Sequence, residues 1–165
     1  MVRNPRRGYS LIEVMVVVAI LGIMLGVGAN LMLQINRFFI LTRSRIDLQR
    51  EARAAIYVIT RELRQAQSNT IVIDRFAANQ PFFSRISFQQ IQGQSVVFYQ
   101  SGNQLIQSVN GRRSTFSKNV RYLAFSFPRS DDMTIVSVAM TLQQTVYQGR
   151  LKALHMASEK VQVMN

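Results

Sequence analysis

Hydrophobic positions along the chain fall into three regimes. From Val14 to Leu33 the side chains are almost uniformly apolar, with no charge and only Asn30 strongly polar. About twenty such residues make one helix able to cross a hydrocarbon core of roughly 30 Å. In the second regime Ala52, Ile56, Ile59, Leu63 and Ala66 recur at steps of three and four, while Arg50, Glu51, Arg53, Arg61, Glu62 and Arg64 take the other faces. That spacing predicts an amphipathic helix with one face on a core. No proline interrupts the stretch. The two regimes therefore predict one helix from Tyr9 to about Ser68, approaching roughly 90 Å at 1.5 Å per residue.

After Ser68-Asn69 the pattern changes to period two. Thr70 to Ile73, Arg85 to Gln89 and Val96 to Gln100 read as strands. Ser101-Gly102-Asn103 reads as a hairpin turn into Gln104 to Val109, with Asn110-Gly111 as the next turn signal. Val120, Tyr122 and Ala124 open a further strand, and Val136, Val138, Met140 and Leu142 alternate in another. Arg150 to Val163 fits two patterns. Leu151, Leu154 and Ala157 suit a helix, whereas a hairpin with Thr134 to Leu142 suits a strand, which is the expectation. The fold class expected is α+β: a long N-terminal helix, transmembrane in its first half and amphipathic in its second, packed on a small antiparallel β-sheet.

Length and composition narrow the function. At 165 residues the chain has the size of one domain. It has no cysteine, so neither disulfides nor Cys-ligated metals enter. His155 is the single histidine and no carboxylates cluster around it in sequence, so a metal shell or catalytic dyad is not expected. There is no phosphate-cradling glycine loop, no GxSxG and no HExxH. The chain reads as a non-enzyme without cofactor or metal. Asp131-Asp132 offers a Ca²⁺ loop as one reading and a solvated turn as the preferred one. The net charge is +12. Arg3, Arg6 and Arg7 precede the apolar run, and by the positive-inside rule that flank is cytoplasmic and everything after about Leu33 lies across the membrane.

One residue contradicts a plain span. Glu13 stands just inside the apolar run, where an ionised carboxylate costs about 2.5 to 3.5 kcal/mol on insertion scales. A secretory signal peptide, cut near Val27-Gly28-Ala29 to leave a terminus near Asn30, or an uncleaved anchor leaves it unexplained. A cut between Gly8 and Tyr9 supplies a reason. It exposes an α-amine four residues before Glu13, able to neutralise the carboxylate within one helix face or between offset neighbouring chains.

These residues carry a resemblance. RRGYSLIEVMVVVAILG is similar to the N-terminal signature of type IV prepilins and type II secretion pseudopilins: a basic leader ending in Gly8, an aromatic Tyr9, Ser10, two apolar residues, Glu13 and an apolar run. Tyr9 stands where phenylalanine is commoner. The resemblance implies a leader over 1–8, an assembly and transmembrane helix over 9–33, and a periplasmic or extracellular domain over 34–165. It implies cleavage after Gly8 by a prepilin peptidase, N-methylation of Tyr9, and storage in the inner membrane before extraction into a filament registered by Glu13. Gly22 and Gly26 form GxxxG, a helix-packing signal. Many pilins carry a proline in this stretch, and this chain has none.

The later order AIYVITRELRQAQ, SVVFYQSGNQLIQSVNG and NVRYLAFSF resembles J-type minor pseudopilins and minor pilins of the PilW kind, with Tyr99 before the turn and Leu105 after it. That implies a priming or capping subunit. The implied partners are the prepilin peptidase, other pilins or pseudopilins, and an inner-membrane assembly platform driven by a cytoplasmic ATPase. A second reading uses the basic surface: Arg112, Arg113, Lys118 and Arg121, with Tyr122 close by, have the character of a DNA-contacting patch. A third is an exported basic binding protein.

Overall fold

The computed structural model describes residues 8–129, 131–146 and 151–163. Of the expected leader only Gly8 is among them. The chain divides into two units, one up to Ile40 and one from Leu41 onward. Helix α1 spans Leu11–Arg64, 54 residues.

In the first unit every described residue is exposed, from Gly8 to Ile40. Among the described residues α1 is the one helix long and apolar enough to cross a membrane. Among the described residues its apolar surface has no partner within the unit. Exposed apolar area on this scale marks contact with lipid or with other protein.

The second unit begins where the apolar spacing changes. Leu48, Ala52, Ala55, Ile56, Ile59 and Leu63 of α1 are buried. The expected stripe of Ala52, Ile56, Ile59, Leu63 and Ala66 is buried in full. The helix stops at Arg64 rather than near Ser68 because its next residues find other partners. Gln65 and Ala66 make only short turn bonds back to Glu62 and Leu63. Gln67 N–H then donates to Gln89 O at 2.9 Å, and Gln65 O accepts from Ile91 N–H at 3.1 Å. A short 3₁₀ turn, Ser68–Thr70, follows.

The strands are β1 (Val72–Asp74), β2 (Arg85–Gln89), β3 (Ser95–Ser101), β4 (Gln104–Val109), β5 (Arg112–Ser117), β6 (Val120–Ser126), β7 (Ile135–Val146) and β8 (Leu151–Gln162). β1 starts later than the expected Thr70, because Thr70 is held in the 3₁₀ turn by Gln67 O. The single sheet expected from the sequence is two: a five-stranded antiparallel meander β1-β2-β3-β4-β5 and a three-stranded antiparallel sheet β6-β7-β8. The ambiguous C-terminal segment is a strand, paired with β7 in unbroken register from Val146↔Leu151 to Ile135↔Gln162.

Both predicted turns close hairpins. Gly102 has φ 57°, and Asn110-Gly111 has φ 49° and 85°, the two left-handed residues that a tight primed turn requires. β5 was not expected as a strand. Five of its six residues are exposed, so it carries no alternation to read. In β6 the expected alternation of Val120, Tyr122 and Ala124 fails because the ladder shifts between Val120 and Tyr122. The extra residue reverses the parity. Val120, Leu123 and Phe125 are buried and Tyr122 is exposed.

One apolar core joins α1 to both sheets, through Ile86, Phe88, Phe98 and Leu105 on one side and Leu123, Phe125, Val138 and Met140 on the other. A buried glutamine knits the sheets at their seam. Gln100 of β3 donates to Arg121 O (3.1 Å) and Gly102 O (2.9 Å), and its Oε1 accepts from Leu123 N–H (2.9 Å). Alongside it Phe125 N–H donates to Phe83 O at 2.8 Å. Asn119, in the turn between the sheets, donates to Glu51 of α1 at 2.9 Å. Gln100→Leu keeps the volume but strips partners from β6 main-chain groups, each worth about 1 to 3 kcal/mol when buried unpaired. Chemical denaturation should show a loss of that order, larger than for Gln94→Leu, an intermediate loop position.

Candidate functional site

The start of α1 is built around Ser10. Glu13 N–H donates to Ser10 Oγ at 3.3 Å and to Ser10 O at 3.1 Å, and Val14 N–H donates to Ser10 O at 3.3 Å. Ser10 is therefore the N-cap, and Glu13 is the third helical residue. Ser10-Leu11-Ile12-Glu13 has the S-x-x-E form of a capping box, a signal the sequence carries beside the Gly8, Tyr9 and Glu13 spacing. The position also favours the carboxylate, since a helix N-terminus carries partial positive charge.

Tyr9 and Glu13 line one shallow groove together with Val14, Val17 and Val18. The main chain of Tyr9 thus lies one residue outside the cap, beside the groove that Glu13 borders. Gly8 precedes it and is exposed. Further along, Asn30 Nδ2 donates to Gly26 O at 3.3 Å, so the polar side chain of the apolar run is satisfied within its own helix. At Gly22 and Gly26 a methyl group would meet nothing within 4 Å. The chain by itself gives no steric reason for glycine there.

The four basic residues are exposed and lie on β5, in the turn after it and on β6. Arg112 and Arg113 are adjacent on β5 and so face opposite sides of the strand. They stand at its start, about 17 Å along the strand from Lys118 and the following turn. Arg121 donates to Gln143 Oε1 and lies over the Tyr122 ring at 5.2 Å, an internal arrangement within the β6–β7 sheet. Lys118 is exposed.

Among the described residues no three His, Asp or Glu side chains gather into a metal site. His155 sits opposite Leu142 and is half-buried. Asp132 accepts from the Thr134 hydroxyl and from Thr134 N–H (2.9 Å). These bonds, the hydroxyl first, hold the Asp132 carboxyl below its usual range. The pair is a local turn.

Residues 3–29 match the family described as the prokaryotic N-terminal methylation motif. Neither curated proteins nor solved structures give a match to the chain. The long apolar N-terminal helix that bears this motif and the two antiparallel sheets match a pilin-like α+β architecture.

Ser10→Ala removes the cap, at a cost of about 0.5 to 2 kcal/mol. Amide exchange in micelles should then show the first turn, Leu11 to Val14, frayed, and Ser10→Asp should restore it. Thr134→Val removes the hydroxyl that stabilises ionised Asp132, so the Asp132 pKa should rise toward its unperturbed value in an NMR titration. Because the folded-state pKa is depressed, the contribution of Asp132 to stability is present above its unfolded pKa of about 3.9 and is lost as the pH falls through the folded value.

Proposed function

We propose that the chain is a minor subunit of a type IV pilus or type II secretion pseudopilus, priming or capping the filament. In this reading a prepilin peptidase cuts after Gly8, Tyr9 becomes the N-methylated terminus, and Glu13 pairs with the terminal amine of a neighbouring subunit. The observation that carries the proposal is the placement of Tyr9 and Glu13 on one groove at the head of the apolar first part of α1, exposed on every face as far as Ile40. An acid there is tolerable in lipid only with a partner. A partner supplied by the neighbour makes polymerisation the step that satisfies it.

Before extraction the subunit is a single-pass inner-membrane protein with its leader in the cytoplasm. Arg37, Arg43 and Arg45 follow the span much as Arg3, Arg6 and Arg7 precede it, so arginine count alone sets orientation only weakly. The leader motif supports the orientation better, because the resemblance puts its peptidase at the cytoplasmic face. Other pilins or pseudopilins, the peptidase and an assembly platform are the partners of this reading. DNA contact is not part of it.

Glu13→Gln keeps the side-chain size and removes the charge. The variant should be processed and membrane-resident, yet its incorporation into filaments should fall roughly tenfold or more, the effect of about 1.4 kcal/mol. Incorporation at the native level would falsify the pairing role. Gly22→Ala with Gly26→Ala should stabilise the isolated helix by up to about 1 kcal/mol per site. The same pair should reduce filament incorporation, which separates a packing role between subunits from a role inside the chain.

A further inference from the structure

The three-stranded sheet leaves β8 with one neighbour, β7, among the described residues. Val163 N–H donates to Thr134 O across this ladder at 2.7 Å, which sets the alternation along the strand. Odd-numbered residues of β8 bond to β7, and the main-chain N–H and C=O groups of Lys152, Leu154, Met156, Ser158 and Lys160 point to the open side. The other edges are shorter or occupied. β1 has three residues, β5 has six and a register shift at its pairing with β4, and the outer side of β6 is taken by Gln100 and Phe83 O. A twelve-residue edge without a bulge is a template for another strand.

The space beside this edge is a groove of about 490 Å³, lined by Arg53, Tyr57, Arg61 and Arg64 of α1 and by Ala157 and Glu159 of β8. Arg61 is engaged by Glu62 at 2.7 Å. Arg53 and Arg64 add positive charge, and Glu159 is the one acid in the lining. On the opposite face of the strand Leu154 and Met156 are exposed at 52% and 74%. Any strand added here meets arginines on one face and apolar side chains on the other.

We propose that the open edge of β8 receives an extended segment of a different protein as a fourth strand, its side chains alternating acidic toward Arg53 and Arg64 and apolar toward Leu154 and Met156. Main-chain bonds supply the affinity of such strand addition, and the alternating side chains supply the choice of partner. A second copy of this chain is disfavoured by charge. Pairing β8 with itself about Met156 sets Lys152 opposite Lys160 at both ends, and like charges directly opposite are destabilising. The net charge of +12 adds to that repulsion. This inference does not rest on the maturation of the N-terminus.

The test uses the full chain in detergent and a labelled synthetic peptide of alternating glutamate and valine, about as long as β8, with a lysine-valine peptide as control. The acidic peptide should bind, more weakly as salt rises, and should protect the amides of Leu154, Met156 and Ser158 from exchange. Met156→Pro removes an N–H that points away from β7, so the odd-numbered amides should stay protected while binding falls roughly tenfold or more. Arg53→Glu with Arg64→Glu should reverse the preference toward the lysine peptide. The proposal is overturned by no binding of the acidic peptide at low salt, by equal binding of the two peptides, or by binding that Met156→Pro leaves intact.

Discussion

A carboxylate at the head of a chargeless apolar helix is the constraint on which the rest of this molecule turns. Lipid alone does not satisfy Glu13, and neither does its own helix beyond what the first-turn dipole contributes. Ser10 caps the helix at the one point where an α-amine released next to Gly8 would emerge beside that carboxylate. The first unit offers no internal surface to bury its apolar side chains, so lipid or other helices must cover them. In the proposed reading, maturation, membrane residence and polymer contact converge on the same few residues.

Past Leu41 the same helix solves an ordinary burial problem. Its stripe from Leu48 to Leu63 roofs a core shared by two sheets, and the outer side of β6 is tied to the end of β3 by the buried Gln100 amide, with the main-chain bond from Phe125 to Phe83 O beside it. This arrangement occupies β6 on both sides and leaves β8 with a bare edge. The asymmetry matters for a protein whose proposed work is to stand among other subunits: one end of the small sheet is closed internally, and the other presents hydrogen-bonding groups next to arginines.

Much of this was legible because burial imposed a period. The helix stripe and the alternation of Val136, Val138, Met140 and Leu142 each follow from one face meeting a core, and all of those positions are buried. Asn110-Gly111 was readable because only certain residues adopt its backbone. What escaped had no such signature. β5 is exposed on both faces, so nothing in Arg112 to Phe116 distinguishes a strand from a loop. The bulge near Arg121 inverted the parity of β6 without a glycine to announce it. The seam between the two sheets runs through Gln100, a polar residue whose burial only the tertiary fold reveals. At the candidate site, Gly8, Tyr9 and Glu13 stood out through their spacing, whereas the cap role of Ser10 lay in plain view and the placing of Arg112 and Arg113 on a strand needed the fold.

The most direct test of the central claim is the mass of the N-terminus of the protein isolated from membranes. A chain that begins at Tyr9 and carries an N-methyl group is the predicted result. A chain that retains residues 1–8, or one that begins near Asn30, contradicts it, because neither places a positive terminus beside Glu13.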